Sequence, residues 1–196
     1  MPIVELHLLK GYESEAKSRL GRDLTNAIRM TVPAAPEAIT VLIHERDRDQ
    51  YMRGGTHRDG APALPDPAAL VQCYLKAMEA RDLDRARTCL APGFSMQFPG
   101  TAPMHSLDAL IDWARPRYRF VTKAYEGIDC AQSETASIVY ARGTLSGEWP
   151  DGTPFAGIRF IDRFELEGGL ITKQEVWNDI AEVKAASQAT SGKGTP

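Results

Sequence analysis

The sequence predicts an α+β protein in two unequal parts: a short strand-helix-strand unit, then a larger unit in which helices precede a run of antiparallel strands. Three observations lead there. Residues 3–9, IVELHLL, and 39–43, ITVLI, are strand-like runs flanking one amphipathic stretch. The segment RGGTHRDGAPALPDP at 53–67 is dense in Gly and Pro and lacks periodicity, as a joint between domains does. Beyond it, three helical patterns come before β-rich segments near 118–128, 135–146, 156–166 and 170–178.

Each element has its own local reason. In the first strand Val4, Leu6 and Leu8 share one face while Ile3, Glu5, His7 and Leu9 share the other, which suits a strand covered mainly on one side. Gly11 breaks it. From Glu13 to about Thr31, Ala16, Leu20, Leu24, Ala27 and Ile28 recur at helical spacing, and Pro33 and Pro36 end the helix. The β-branched ITVLI is the second strand, and a helical crossover makes the two strands parallel. So short a unit makes a poor core alone, so self-association is expected.

After the joint, Leu70, Val71, Tyr74 and Met78 share one helical face in DPAALVQCYLKAMEARD, with Asp66 as N-cap and Pro67 in the first turn. LDRARTCL makes a second helix, and Ser106 opens a third through SLDALIDWARP, stopped by Pro116. PDG (150–152) and EGG (167–169) mark turns between the later strands. The expected boundaries are a first domain at 1–58, a linker at 59–66, a second domain at 67–184 and a flexible tail at 185–196.

Composition narrows the function. The chain of 196 residues is 43% hydrophobic and 25% charged, an ordinary globular balance. A net charge of -3 gives no global electrostatic reason for nucleic acid or an anionic membrane as partner. Cys73, Cys89 and Cys130 are odd in number and show neither CxxC nor Cys/His spacing, which predicts reduced thiols in a cytoplasm and no zinc site. No apolar run approaches the roughly 18–20 residues of a membrane span, and Glu5 and Lys10 do not fit a signal-peptide layout. There is no Gly-rich phosphate loop, so no metal, nucleotide or other cofactor is expected, and the partner is a small molecule.

Pro2 stands directly before the first strand. Proline lacks a backbone N–H and usually sits outside a strand's ladder, yet removal of Met1 turns Pro2 into a free secondary amine. An α-amine titrates near ~7.7–8.0, close to the pH at which acid-base catalysis works best, and an apolar mouth lowers that value further. Pro2 is thus either the start of an edge strand or a base. Together Pro2, IVELHLL, Gly11, the crossover helix, ITVLI and the ending YMRGG resemble the 4-oxalocrotonate tautomerase family, without gaps over residues 2–58. The resemblance implies that Pro2 is a general base shuttling a proton between carbons of an enol or dienol acid, in subunits assembled as dimers, trimers or hexamers. The family's two carboxylate-binding arginines fall on Tyr12 and Thr40 here, and its pocket-closing aromatic on Tyr51. Arg46, Arg48 and Arg53 are nearby: either one of them takes over carboxylate binding through a bidentate contact, or they are solvated surface. The replaced arginines point away from a dioic acid, toward a less acidic substrate.

Residues 67–180 resemble the SnoaL-like, nuclear transport factor 2-like superfamily through the helical opening LVQCYLKAMEARDLDRA, the turn LAPGFSMQFPG and the closing pair FIDRFELEGGLITKQEVWND. The resemblance implies a cone of curved antiparallel sheet with helices over its open side, shared by polyketide cyclases, ketosteroid isomerases, dehydratases and plain binding modules. Asp162 alternates in phase with Phe160, Phe164 and Leu166, so its carboxyl points to the apolar side, where burial raises its pKa. Tyr74 lies on the core-facing side of its helix and needs a partner for its hydroxyl if buried. In the ketosteroid isomerase branch, matching positions hold a tyrosine and a protonated aspartic acid that donate to a developing oxyanion; the base of that branch falls on Phe98. In the cyclase branch a sheet carboxylate acts as acid or base, the role open to Asp162, with His105 a further candidate at the mouth. The structural alternatives are an Asp162 hydrogen-bonded to Tyr74 or backbone, a core Tyr74 and a loop His105. Trp113, Trp149, Trp177, Phe94 and Phe98 are expected in core and pocket lining.

Two enzymatic readings and one other follow. In the first, the chain is a tautomerase-superfamily isomerase in which Pro2 performs enol-keto proton transfer on a small hydrophobic carbonyl or enol compound, aided by Tyr12, Thr40, Tyr51 and Arg53. In the second, the cone is a cyclase, isomerase or dehydratase using Asp162 and Tyr74, with Phe98 and His105 at the substrate and the N-terminal unit serving oligomerisation. The third is a small-ligand binding protein.

Overall fold

Alternating strand faces and one amphipathic helix place the first unit's few apolar side chains on a single layer. The computed structural model describes residues 1–191, and the chain divides between Leu64 and Pro65 into two units. Strand β1 (Ile3–Leu9) pairs in parallel with β2 (Thr40–Arg46), Ile3 opposite Thr40 and Leu9 opposite Arg46, and helix α1 (Ser14–Arg29) connects them. Lys17 of α1 reaches Glu45 of β2 at 3.1 Å, so the face that Glu45 shares with Val41 and Ile43 is the helix-covered one. The opposite face carries the exposed Ile3 and Leu42 and the stacked rings of His7 and His44, 4.9 Å apart. No side chain of Met1–Leu64 is fully buried.

A two-residue hairpin follows, β3 (Met52–Arg53) with β4 (Thr56–His57). Its turn residues Gly54 and Gly55 have φ of 60° and 73°, the two positive values that a tight hairpin turn of type I′ requires. The Gly-rich start of the expected joint is thus ordered turn chemistry, and the division into units falls later, inside the expected 59–66 linker.

The second unit begins with α2 (Pro67–Glu79) and α3 (Leu83–Thr88) and later adds α4 (Leu107–Ala114). The Asp66 carboxylate accepts from the amides of Ala68 and Ala69 at 2.9 and 3.3 Å, and the Ser106 hydroxyl from that of Ala109 at 3.1 Å, the caps that the spacing predicts. α2 ends in a Schellman motif, with Arg81 N–H on the Met78 carbonyl (3.2 Å) and Asp82 N–H on that of Ala77 (2.9 Å). Arg81 takes the left-handed position usual for glycine, at φ 60°.

Five strands form one curved sheet: β5 (Leu90–Gln97), β6 (Phe120–Gln132), β7 (Ser137–Glu148), β8 (Pro154–Glu167) and β9 (Leu170–Asn178), in the order β5-β9-β8-β7-β6. β6 to β9 are antiparallel neighbours, and β5 lies on the edge, parallel to β9. The LAPGFSMQ segment reads as a turn because Pro92 and Gly93 interrupt it. An edge strand tolerates both, and they fall where the pairing of β5 with β9 skips between Leu90 and Ser95. The sheet bends where register shifts occur near Tyr125/Gly127 and Leu145/Gly147. At Gly143 a side chain would overlap the Ala124 carbonyl oxygen of the neighbouring strand, so only glycine permits that approach.

The concave face and α2 enclose the core of Val71, Tyr74, Leu75, Val139, Phe164 and Ile171, and a second cluster joins Trp149, Phe155, Phe160 and Ile180. Trp177 departs from expectation: it is out of phase with the buried Gln174 and Val176 and is 51% exposed. Helix α5 (Ile180–Ser191) runs through residues expected from 185 onward as flexible tail; 192–196 lie outside the described residues.

Phe164 is fully buried and meets the Tyr74 ring edge-on at 5.9 Å. Phe164→Ala should therefore destabilise the second unit by about 3–5 kcal/mol, read as a lower urea midpoint in tryptophan fluorescence.

Candidate functional site

In the first unit, strand geometry separates the predicted site residues. Pro2 precedes β1, and its carbonyl accepts the Thr40 amide at 3.1 Å, so these two lie side by side. Tyr12, Tyr51 and Arg53 gather instead past the other end of β1, around a depression of ≈ 460 Å³ that Leu9, Arg46 and Arg58 also line. Arg53 donates to the Tyr51 hydroxyl at 3.2 Å, and Arg48 is engaged with Asp59 at 2.9 Å. A strand of this length, at ~3.3 Å per residue, holds the two groups roughly 20 Å apart within one chain.

The second unit holds a partly open pocket. Twenty residues from α2, α4, the concave sheet and the connecting loops line a cavity of ≈ 140 Å³, with Tyr74, Phe98, Trp113, Tyr118, Lys123 and Asp162 among them. Asp162 comes from β8, is 0% exposed, and its Oδ2 forms an ion pair with Nζ of Lys123 from β6. Between those strands runs β7, where Leu145 is opposite Lys123, Ala141 is opposite Asp162, and Gly143 lies on the same face between them. Gly143 carries no side chain to block the lysine stem on its way across. Asp162 Oδ1 lacks a hydrogen-bond partner among the described residues. Burial pushes the Asp162 pKa up, and Lys123 opposes that shift without cancelling it.

The hydroxyls around the carboxylate are held as donors. Tyr74 is buried and donates to Gln174 Oε1 at 3.1 Å. Burial raises its pKa well above the ordinary phenol range, with the Asp162 charge adding to the effect. Tyr118 is shifted the same way, chiefly by burial, while Arg81 and Arg117 pull against it. Phe98 packs on Trp113 with ring centroids 5.2 Å apart and forms part of the apolar wall.

Asp162, Tyr74 and Phe98 therefore share one cavity. Tyr74 bonds Gln174 and not Asp162, because Gln174 alternates in phase with Val176 and so also faces inward. His105 is not among the residues lining the cavity; its Nδ1 lies 3.3 Å from the Phe94 carbonyl, just before α4. Lys123 and Gln174, the partners of Asp162 and Tyr74, are among the members that sequence reasoning passed over. The signal for both was the alternation that singled out Asp162: Lys123 is in phase with Val121, and both are half-buried cavity residues. Among the described residues, no group of three or more His, Cys, Asp or Glu is arranged to hold a metal ion, and no helix is long and apolar enough to cross a membrane.

Comparison with known proteins assigns each unit. A family model described as tautomerase enzyme matches residues 2–58, and one described as SnoaL-like domain matches residues 71–174. The chain is 38% identical over 58 residues to a Staphylococcus epidermidis protein named "Probable tautomerase", spanning 30% of this chain and 95% of the relative. It is 39% identical over 51 residues to a like-named protein of Halalkalibacterium halodurans, 26% of this chain and 84% of the relative. A nuclear transport factor 2-like protein from Burkholderia thailandensis E264 superposes with a TM-score of 0.52 at 19% identity, over 63% of this chain and 98% of the other. A protein from Jannaschia sp. CCS1, provisionally named a SnoaL-like polyketide cyclase, gives 0.50 at 18% identity, over 66% and 96%. Likeness at such identities is one of fold. The chain thus belongs to the tautomerase family through residues 2–58 and to the SnoaL-like domain family through residues 71–174.

Proposed function

We propose that the SnoaL-like unit is an acid-base enzyme, an isomerase, cyclase or dehydratase, in which Asp162 moves a proton on a small hydrophobic carbonyl compound. The observation that carries this reading is the unpartnered Oδ1 of a fully buried carboxylate in an apolar cavity. A carboxylate buried merely as structure has its oxygens hydrogen-bonded. Here Lys123 holds Oδ2 and leaves Oδ1 for substrate. An apolar cavity of about 150 Å³ accepts a benzene ring, so ≈ 140 Å³ suits a compound of about one ring. Oδ1 removes a proton from the carbon beside the carbonyl, Lys123, or Tyr74 on exchanging its bond to Gln174, donates to the developing enolate oxygen, and the proton returns to a second carbon.

A second reading keeps Pro2 of the tautomerase unit as a base for enol-keto proton transfer, and membership of that family through residues 2–58 favours it. Its site needs more than one copy of the chain, because Pro2 and Thr40 lie at one end of β1 and Tyr12, Tyr51 and Arg53 at the other. Self-association also suits the energetics, since the sheet face bearing Ile3, 62% exposed, and Leu42, 41% exposed, finds no cover within the unit. A homo-oligomer acting on a small molecule in the cytoplasm is the resulting picture, with no nucleic acid or membrane partner.

Asp162→Asn should lower kcat/KM for isomerisation of small cyclic β,γ-unsaturated ketones by about 10²–10⁴-fold, with near-UV circular dichroism unchanged; an unchanged rate rejects the assignment. Because burial raises its pKa, the carboxylate keeps its proton to higher pH and the base form appears later. The acid limb of the wild-type rate profile should accordingly lie above the ordinary aspartate value of about 3.9. For the tautomerase unit, intact mass should show Met1 removed, and Pro2→Ala should abolish ketonisation of phenylenolpyruvate; retained Met1 rules the base out. Light scattering should give a dimer or larger species that Ile3→Glu with Leu42→Glu dissociates, and a monomeric wild type would end the assembly proposal.

A further inference from the structure

Lys123 is the lysine of the cavity wall. Its Nζ touches Asp162 Oδ2, lies 4.5 Å from the centroid of the Phe160 ring, and belongs to a side chain only 20% exposed. We propose that Lys123 is a nucleophilic amine that condenses with an aldehyde or ketone bound in the cavity, with Asp162 relaying the protons. The proposal rests on the acid-base reading for the location of the site, and it adds a covalent step to it.

The environment meets the two demands of amine catalysis. A lysine attacks only when unprotonated, and desolvation in an apolar pocket is one way to reach that form. Here the proton has an acceptor in contact, since the buried Asp162 carboxylate touches the ammonium and can take the proton as the nitrogen attacks. Apolar walls, including Val121, Leu145, Phe160 and Val176, surround the amine.

The step balances without an oxidant. The amine nitrogen bonds to the carbonyl carbon as the π bond opens, and the carbonyl oxygen takes the proton held by Asp162. The new nitrogen then gives a proton back to Asp162, which passes it to the hydroxyl, and water leaves. The net change is ammonium plus carbonyl to iminium plus water, with Asp162 returned as carboxylate. Its unpartnered Oδ1 then faces a C–H made acidic by the iminium. That is a stronger electron sink than a hydrogen-bonded carbonyl, and hydrolysis releases the product.

Reductive trapping tests this on the full-length chain. With benzaldehyde and cyanoborohydride at neutral pH, peptide mapping should find a benzyl group on Lys123 well ahead of the exposed Lys10, and Lys123→Met should lose that fast adduct. Labelling of Lys123 no faster than Lys10, or a fast adduct that persists in Lys123→Met, overturns the proposal; the wild-type comparison decides even if the variant fails to fold. Lys123→Arg keeps a cation beside Asp162 but cannot condense. If Lys123→Arg turns over normally while Asp162→Asn is dead, the amine falls and the acid-base site stands. If Lys123 is trapped while Asp162→Asn turns over normally, the amine stands, and both the acid-base reading and the relay through Asp162 fall.

Discussion

The cone unit depends on one costly placement, a carboxylate with no exposed surface inside an apolar sheet face. Burying such a charge alone costs several kcal/mol, so it persists only with a counter-charge in contact. Lys123 supplies that charge from two strands away, and its reach sets conditions on everything between. On β7 the position between the Lys123 and Asp162 rungs is Gly143, which offers no side chain in the way, and there β6 approaches so closely that a side chain would strike the Ala124 carbonyl.

The polar groups of the cavity are divided rather than pooled. Tyr74 and Gln174 satisfy each other, Lys123 satisfies one carboxylate oxygen, and the second oxygen is buried without a hydrogen-bond partner among the described residues. A structural network closes on itself, because each unmet buried group costs about 1–3 kcal/mol. On the proposed acid-base reading, that unmet oxygen is the group that takes the substrate's proton.

The tautomerase unit faces the opposite constraint. It buries no side chain fully, and strand length keeps Pro2 far from Tyr12, Tyr51 and Arg53. Hydrophobic burial and completion of a site ask for the same remedy there, a second copy of the chain. The replaced arginines and the clustered Arg46, Arg53 and Arg58 then bear on which substrate such an assembly holds.

Local pattern by itself determined most of the strands and helices, the caps at Asp66 and Ser106, the inward phase of Asp162 and Tyr74, and the two family resemblances. These follow from side-chain period and from hydrogen bonds within a few residues. It misplaced what depends on neighbours distant along the chain. β5 looked like a turn because Pro92 and Gly93 are breakers in isolation, yet an edge position beside β9 absorbs them. Trp177 looked like core because it is large and aromatic, but phase put it outward. His105 lacked any signal separating mouth from rim. Tertiary structure alone decided the partners: Lys123 for Asp162, Gln174 for Tyr74, and the separation of Pro2 from its expected companions. A partner across two strands is set by sheet order and curvature, and no window of sequence contains either.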